Sequence, residues 1–569
     1  MKLVKIKIEK FRAIRSSVIN VGSELALVGQ NSAGKSSILR ALNAFFNFSE
    51  ERAHFESERH SFQKTATAII EIEFNNIPID CMLVKVSPNT DVVRVRLKYK
   101  KSDVWQIYQG DTWIAAPSDL HAELGKFITY VYVPLRRDHE VAGWGDNGLL
   151  KKAVEAWLIN HTSKRDRISP KVAELSRTIQ NRAFNGLGKH LRKVTPLAGE
   201  FTFQLGYKKD PDYSIFLKDI FLRVSEGGTT VDLEDCGSGT QSMAAFALYS
   251  YLAELKSSTY ILGIEEPEVN LHPQAQRELL ASLRELPLQV LFTTHSTVMV
   301  DQLEHEEVVL CRRISSPTRG FEVITTQLSG SFWADRGMDR DRYYQFHRRR
   351  NSEFFFSNFV VITESPIDAE VIKHLLKEGG ADPIKFSVSV LALDGVKSLP
   401  YAYHLLKELD LSFATVVDKD YFMPYSEDEL EKSRDGSGFP KYKHNYCAGT
   451  LLENMVPGLL KRNNLLQFLH SNHSQAMDIL EEANVFCFRW SMDIDLVASE
   501  SAVQLLYASF NLPLAKQNKK ELLINNRKAL KKLDRVLPVV QSLKPMSLPN
   551  SYKRIRKNMA ELVRQAAIR

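Results

Sequence analysis

A glycine-rich segment near the start of the chain has residue types suited to binding phosphate groups. Residues 29–36 read Gly-Gln-Asn-Ser-Ala-Gly-Lys-Ser, which fits the pattern GxxxxGK[ST], after an apolar stretch and before helical spacing. Glycines let backbone N–H groups approach phosphates, and a helix N-terminus adds partial positive charge. Lys35 would reach the β- and γ-phosphates and Ser36 would ligate Mg²⁺. The sequence therefore predicts an ATP-binding P-loop, with contacts from Gly29, Asn31, Gly34, Lys35, Ser36 and Ser37.

Three further motifs in the first half could act on a bound nucleotide. An apolar stretch ends in Glu265 and Glu266, and acids at a strand end suit Mg²⁺ binding and activation of water beside a γ-phosphate. Ser238 and Gly239 lie in a Gly-Ser-Gly-Thr-Gln segment before a helix, and His295 follows another apolar stretch. Each motif alone has an ordinary structural explanation. Their combination with the P-loop indicates a nucleotide site.

Acidic residues recur at the ends of two apolar strands in the second half. Glu364 follows the residues FVVIT, and Asp418 and Asp420 follow FATVV. Parallel strands end at one edge of a sheet, so we expect these acids to converge. Close carboxylates repel one another unless a cation lies between them, and oxygen ligands favour Mg²⁺ or Mn²⁺. With Asp368 and Glu453 they would hold two metals for in-line attack on a phosphodiester. Surface acids at strand ends are the alternative interpretation.

Two α/β units are needed to position these residues. LVKIKIEKF and ELALVG predict a hairpin-like pair of strands before the P-loop, and residues 66–135 alternate like a strand-rich lobe. Residues 147–195 have helical spacing, and strands alternate with helices over about residues 240–300, which indicates a parallel sheet. The pattern breaks down around residues 311–350, and a second α/β series runs to about residue 460.

Composition and charge restrict the class of protein. The 569 residues are 44% hydrophobic and 25% charged, which excludes a disordered or fibrous chain. The sequence has no stretch of about 18 uncharged apolar residues, so we expect no membrane span. Five scattered cysteines without a CxxC pair fit a reducing, cytoplasmic setting. The net charge is +7, yet residues 514–569 alone have 15 Lys/Arg against 3 Asp/Glu. That segment is either a solvated helix face or a contact for nucleic-acid phosphates.

The order of the first-half motifs resembles the ABC-type ATPases, in the branch shared by structural-maintenance and double-strand-break-repair proteins. The Phe11-Arg12 element has a counterpart there as well. The resemblance implies that Glu265 binds Mg²⁺, Glu266 polarises the attacking water and His295 contacts the γ-phosphate. It also implies that Ser238 and Gly239 reach ATP on a second subunit, hence a dimer. Glu265 departs from the family, which usually has Asp at this position.

The second half resembles the Toprim fold, although Ser365 stands where the signature has Gly. An ABC-type ATPase followed by a Toprim domain resembles the OLD (overcoming lysogenisation defect) nucleases. The resemblance implies a DNA endonuclease or nickase, often in bacterial defence against phage beside a separately encoded partner. It also implies a catalytic basic residue near the C-terminus. Lys544 is the first candidate, and the competing lysines and the acids that would add a metal ligand are Lys519, Lys528, Lys553, Asp493 and Asp495.

From this resemblance we expect an α/β chain with two domains. The ATPase domain would span residues 1–340, with a helical dimerisation insert at about 145–200. The Toprim domain would span residues 341–569, with a basic helical part at about 500–569. Two other functions stay open: a DNA-repair ATPase whose Toprim half only binds DNA, and a regulatory ATPase that recruits a partner and has lost cleavage.

Overall fold

The chain forms two compact units. The computed structural model describes residues 1–63, 65–83, 91–135, 154, 157, 162–179, 181–182, 223–226, 229–232, 236, 244, 248, 251, 259–285, 288–317, 320–347, 352–393 and 395–568. The first unit consists of Met1–Leu27, Ser32–Cys311 and Glu322–Thr325. The second consists of Val28–Asn31, Arg312–Phe321 and Thr326–Arg569.

A large mixed sheet is the main feature of the first half of the chain. Its strands are β1 (Lys2–Phe11), β2 (Ile14–Asn20), β3 (Glu24–Val28), β4 (Ala68–Asn75), β5 (Val92–Tyr99), β6 (Asp103–Gln109), β7 (Thr112–Ala115), β8 (Ile128–Val133), β11 (Thr259–Glu265), β12 (Leu288–Thr293), β13 (Val308–Ser316) and β14 (Gly320–Gln327). Among the described residues these twelve strands run in the order β7-β6-β5-β4-β1-β2-β14-β13-β3-β12-β11-β8. Strands β9 (Arg223–Glu226) and β10 (Thr229–Asp232) form a separate antiparallel pair.

The predicted pairing of the first strands is wrong. Strand β1 pairs antiparallel with β2. Strand β3 lies four places from β1 in the sheet, between β13 and β12. The turn after β1 explains the difference, because Lys10 and Arg12 both have positive φ angles, 53° and 52°, and the chain reverses at once. The strand that follows, Ile14–Asn20, is half polar and has a weak apolar pattern.

The parallel part of the sheet positions the first group of motifs. Strand β12 is parallel to both β3 and β11, with Thr293 opposite Glu265 and Leu27. The P-loop, the Glu265-Glu266 pair and the His295 loop follow these three neighbouring strands, so they meet at one edge. The helices of this half are α1 (Lys35–Phe46), α2 (Phe48–Glu56), α3 (Leu120–Phe127), α4 (Thr162–Ile179), α5 (Pro273–Arg284) and α6 (Thr297–Val300).

A smaller parallel sheet organises the second unit. It contains β15 (Phe359–Thr363), β16 (Val388–Ala392), β17 (Phe413–Val417) and β18 (Val485–Cys487), in the order β16-β15-β17-β18. The chain passes from β15 to β16 on one side and returns to β17 on the other. Ligands bind at such a switch in strand order, outside the carboxyl ends of the strands.

The described residues after β14 also form a series of helices. They are α7 (Phe332–Asp335), α8 (Arg340–His347), α9 (Pro366–Glu378), α10 (Leu399–Glu408), α11 (Leu452–Met455), α12 (Leu459–Ser471), α13 (His473–Glu481), α14 (Met492–Ala498), α15 (Glu500–Ser509), α16 (Arg527–Leu530), α17 (Leu533–Ser542), α18 (Asn550–Arg554) and α19 (Ala560–Ile568). Two π-helical turns, Glu521–Asn525 and Ile555–Met559, lie in the basic C-terminal segment.

Candidate nucleotide and metal sites

The P-loop connects β3 to α1 through backbone that only small residues adopt readily. Gly29 and Gly34 have φ angles of 131° and 86°. A Cβ on Gly34 would lie 2.7 Å from a methyl group of Val323, so this position excludes a side chain for steric reasons too. Helix α1 begins at Lys35, so the first backbone N–H groups of the helix lie at the loop.

Lys35 and His295 meet at this edge of the sheet. The Lys35 side chain is buried, and its Nζ lies 2.7 Å from His295 Nε2. Burial lowers the pKa of His295, and the nearby Lys35 lowers it further, so the imidazole is neutral and accepts the hydrogen bond. Burial likewise lowers the pKa of Lys35. The structure therefore brings together two side chains that the sequence analysis predicts to bind phosphate.

One acid, Glu268, holds the loop that contains His295, and a second, Glu266, lies near the imidazole. Glu268 Oε1 accepts hydrogen bonds from Thr294 Oγ1 at 2.9 Å and from the His295 backbone N–H at 2.7 Å. The Glu266 carboxylate lies 3.9 Å from His295 Nε2. Glu266 has a φ of 42°, a costly conformation that its N–H hydrogen bond to the Thr293 carbonyl maintains. Glu266 is predicted to polarise the attacking water, and this strained backbone indicates that the direction of its side chain is fixed.

The structure describes some of the remaining residues that are predicted to contact the nucleotide, and others lie outside it. Ser36 and Ser37 lie in the first turn of α1 and are half-buried, and Asn31 is exposed. Glu265 ends β11. Ser238 and Gly239 lie outside the described residues.

The second group of acids converges at the switch in strand order of the smaller sheet. Glu364 directly follows β15 and Asp418 directly follows β17. Glu364 Oε1 accepts a hydrogen bond from the Asp418 backbone N–H at 2.9 Å. Asp420 Oδ2 accepts one from the Tyr425 hydroxyl at 2.7 Å. These contacts fix three acids at the edge where the sequence analysis expects them.

The absence of glycine after Glu364 has a structural explanation. Ser365 has a φ of −135° and a ψ of 160°, an extended conformation open to any residue. Its hydroxyl accepts a hydrogen bond from the Asp368 N–H, and the Asp368 carboxylate accepts one from the Ser365 N–H, which forms a capping box at the start of α9. Serine therefore stabilises the helix that brings Asp368 to the site.

Burial and mutual repulsion raise the pKa values of the acids in this cluster. Burial raises the pKa of Glu364 to about 7, with further contributions from Asp420 and Asp368. Burial likewise raises the pKa of Asp368 to about 6. The pKa of Asp418 is raised well above its ordinary value by burial and by the neighbouring Glu364. Grouped carboxylates of this kind are characteristic of functional sites.

One of two further acids joins the cluster. Asp493 is 4% exposed, one of its oxygens, Oδ2, is buried without a hydrogen-bond partner, and its charge raises the pKa of Asp418. Asp495 instead accepts hydrogen bonds from the backbone N–H groups of Arg489 and Trp490 and from the Ser551 hydroxyl. Asp495 thus fixes the loop after β18, and Asp493 has the vacant oxygen that a metal ligand needs.

One basic residue near the acids is Lys531, which the sequence analysis did not select. Lys531 follows α16, and its charge lowers the pKa of both Glu364 and Asp368. Lys544 is exposed, between α17 and a 3₁₀ turn. The Glu453 carboxylate, 82% exposed, pairs with Arg462 at 3.6 Å. Glu453 therefore lies in a different environment from the four half-buried acids.

The donor set of the cluster fits a divalent metal. All the ligands offered are carboxylate oxygens, the preferred ligands of Mg²⁺, Mn²⁺ and Ca²⁺. Glu364, Asp368, Asp418 and Asp420 are half-buried rather than sealed from solvent. Asp493 Oδ2 is buried without a hydrogen-bond partner, so it could supply a further oxygen ligand.

Comparison with known proteins finds a family model that matches part of each half of the chain. Residues 25–301 match the family described as "AAA domain, putative AbiEii toxin, Type IV TA system". Residues 355–420 match "Overcoming lysogenization defect protein-like, TOPRIM domain". The resemblance to the OLD family is confirmed. So is the α/β architecture of an ABC-type ATPase followed by a Toprim domain. These OLD-like domains imply the use of a nucleotide and of a divalent metal.

Curated relatives align over most of the chain. The Old nuclease of Escherichia phage P2 is 22% identical over 464 residues, or 74% of this chain and 78% of the relative. The OLD nuclease of Thermus scotoductus is 24% identical over 473 residues, or 76% and 84%. The endonuclease GajA of Bacillus cereus is 24% identical over 355 residues, or 54% and 58%. All three are thus OLD-type or related nucleases by name.

Among solved structures, an SMC head bound to the C-winged helix domain of ScpA aligns with a TM-score of 0.37 and 15% identity, over 58% of this chain and 99% of that chain.

Within the described residues, no helix combines the length and the apolar character needed to cross a membrane.

Proposed function

We propose that this protein is an ATP-binding, metal-dependent DNA endonuclease or nickase. The observation that carries the proposal is the convergence of Glu364, Asp368, Asp418 and Asp420 at the switch in strand order, beside a buried Asp493 oxygen with no hydrogen-bond partner. The names of the three relatives support the same chemistry.

The residues have distinct roles in this proposal. Glu364, Asp418 and Asp420 would hold one Mg²⁺ or Mn²⁺, and Asp368 and Asp493 would help to hold a second. When bound, such ions activate a water molecule and stabilise charge on the scissile phosphodiester. Lys531 would bind the phosphate that gains negative charge, a task for which its exposed ammonium group is free to move. Glu453 and Lys544, both predicted in this site, are less well supported by their surroundings.

The ATPase half would bind ATP at the P-loop. Lys35 and His295 would bind the terminal phosphates, Ser36 and Glu265 would hold Mg²⁺ with the nucleotide, and Glu266 would orient the attacking water. The order of the motifs supports a homodimer in which Ser238 and Gly239 contact ATP on the partner subunit.

A role in bacterial defence against phage completes the proposal. It rests on the similarity to GajA and on the pairing of a nuclease with an ATPase. DNA would be the substrate, and a separately encoded defence protein a further partner. The five cysteines are all free thiols, which supports a reducing, cytoplasmic location.

A plasmid assay tests the proposal. Purified protein is mixed with supercoiled DNA and Mg²⁺ or Mn²⁺, with and without ATP, beside the variants Asp420→Asn and Lys35→Ala. Cleavage that is lost in Asp420→Asn supports the Toprim site as the nuclease, and the Lys35→Ala variant shows whether ATP is required. ATP hydrolysis without cleavage under every condition would favour a repair or recruiting ATPase instead.

A further inference from the structure

Tyr132 reaches across the sheet to one of the predicted metal-binding acids of the ATPase site. It lies on β8, next to β11, with Tyr132 opposite Gly263 in the parallel register. Glu265 is two residues beyond Gly263 and therefore projects from the same face. The Tyr132 hydroxyl donates a hydrogen bond of 2.7 Å to Glu265 Oε1.

Gly263 leaves the space that the tyrosines of β8 occupy. A Cβ at Gly263 would lie 2.0 Å from the hydroxyl of Tyr130, the other tyrosine on this face of β8. The Tyr130 hydroxyl instead donates to the Leu39 carbonyl of α1 at 2.9 Å. The two phenols therefore have different tasks: Tyr130 ties the sheet to α1, and Tyr132 contacts the acid.

The Tyr132 ring is itself held from the side of α1. The Arg40 guanidinium lies over the ring, 4.4 Å from its centroid, which is a favourable cation–π position. Arg40 Nη1 donates to Glu51 Oε1 at 2.9 Å, and Glu51 is buried and also accepts hydrogen bonds from Asn43 and His60. The buried Glu51 thus holds Arg40, and Arg40 in turn holds the Tyr132 ring in one orientation.

We propose that Tyr132 is a positioning residue for Glu265, holding one carboxylate oxygen so that the other faces the metal of the nucleotide. This inference rests on the proposed ATPase function. It accounts for the glutamate found where related ATPases have aspartate, since the additional methylene adds a rotatable bond that a fixed hydrogen bond restrains. A phenol suits this task because it donates a hydrogen bond without neutralising the acid.

The test compares Tyr132→Phe with Tyr130→Phe, the same chemical change two residues away. A fluorescent ATP analogue is titrated in Mg²⁺ and in EDTA, and ATP hydrolysis and the melting temperature of the nucleotide-free protein are measured beside it. We expect Tyr132→Phe to weaken Mg²⁺-dependent binding about tenfold, the effect of one hydrogen bond to a charged group, with binding in EDTA within about twofold of wild type. Tyr130→Phe should lower the melting temperature and keep the ratio of Mg²⁺ to EDTA affinities.

A second variant separates positioning from a general structural role. Glu265→Asp withdraws the carboxylate from the Tyr132 hydroxyl by about one carbon–carbon bond, so the hydrogen bond is lost already. Adding Tyr132→Phe to Glu265→Asp should then change the Mg²⁺-dependent affinity by less than about twofold. Additive losses, or an unchanged ratio of affinities in Tyr132→Phe alone, would overturn the inference. Failure of the ATPase proposal itself is distinguishable, because Lys35→Ala would then retain Mg²⁺-dependent nucleotide binding.

Discussion

Replacing Glu364 by glutamine should stabilise the metal-free protein while it abolishes DNA cleavage. The pKa of Glu364 is raised from 4.5 to about 7 by burial and by Asp420 and Asp368, so the ionised carboxylate is unfavourable in the folded protein. One pKa unit corresponds to about 1.4 kcal/mol, so this carboxylate costs about 3 kcal/mol above neutral pH. Glutamine keeps an oxygen that can accept the Asp418 N–H. We therefore expect a gain of about 1–3 kcal/mol in the free energy of unfolding at pH 8.

The size of the stability gain in Glu364→Gln depends on pH in a defined window. Between pH 4.5 and about 7 the folded protein retains a proton on Glu364 that the unfolded chain has lost, so the stability of the metal-free wild type falls as the pH rises. Asp368, with its pKa raised to about 6, adds to this fall. The Glu364→Gln variant lacks the Glu364 contribution. Its advantage over wild type should be largest at pH 8 and small at pH 4.5.

The assay is urea unfolding of both proteins in EDTA at pH 8 and pH 4.5, followed by the same experiment in Mn²⁺. Glu500→Gln is the matched control, an exposed acid of the same unit that pairs with Lys519 and should change stability by less than about 0.5 kcal/mol. In Mn²⁺ the wild type should gain stability and Glu364→Gln should gain much less. A destabilised Glu364→Gln in EDTA at pH 8 would refute the conclusion that burial and the neighbouring acids make the ionised Glu364 unfavourable in the folded protein.

Two further predictions concern single residues of the sites. Lys531→Ala should reduce the plasmid-cleavage rate by about 10²–10³-fold, which is the effect of losing one donor to a developing negative charge. The control variant Lys544→Ala should stay within about threefold of the wild-type rate. The reverse ranking would contradict the placement of Lys531 beside Glu364 and Asp368. Gly34→Ala should abolish binding of a fluorescent ATP analogue, because the added Cβ would lie 2.7 Å from a methyl group of Val323. Gly110 also has a positive φ but has open space around it, so Gly110→Ala should cost about 1 kcal/mol of stability and keep the binding.

The sequence predicts where the motif residues lie in the fold because each of them directly follows a strand with a clear apolar pattern. Glu364 and Asp418 directly follow buried strands, and the edge of a parallel sheet brings such residues together regardless of their separation along the chain. The same argument places Lys35 beside His295. The doubt that Ser365 raised is also local in origin, and its extended backbone resolves it.

The residues that sequence reasoning missed depend on packing between distant segments. Lys531 is one of many lysines in a basic helical segment, and only the fold of that segment distinguishes it from Lys544. Tyr132 lies 133 residues from Glu265, and the contact requires β8 to be the neighbour of β11 in one register. The pairing of β1 with β2 was missed because two residues with positive φ turn the chain earlier than the apolar pattern suggests.

The most direct test of the central claim is the plasmid-cleavage rate of Asp418→Asn in Mn²⁺, measured beside wild type and Glu500→Gln. Asp418 lies at the centre of the acid cluster, next to Glu364, and asparagine preserves its shape. The account predicts cleavage by the wild type and by Glu500→Gln, and a loss of at least about a hundredfold in Asp418→Asn. Cleavage by Asp418→Asn at the wild-type rate would contradict it, because the nuclease chemistry would then lie elsewhere.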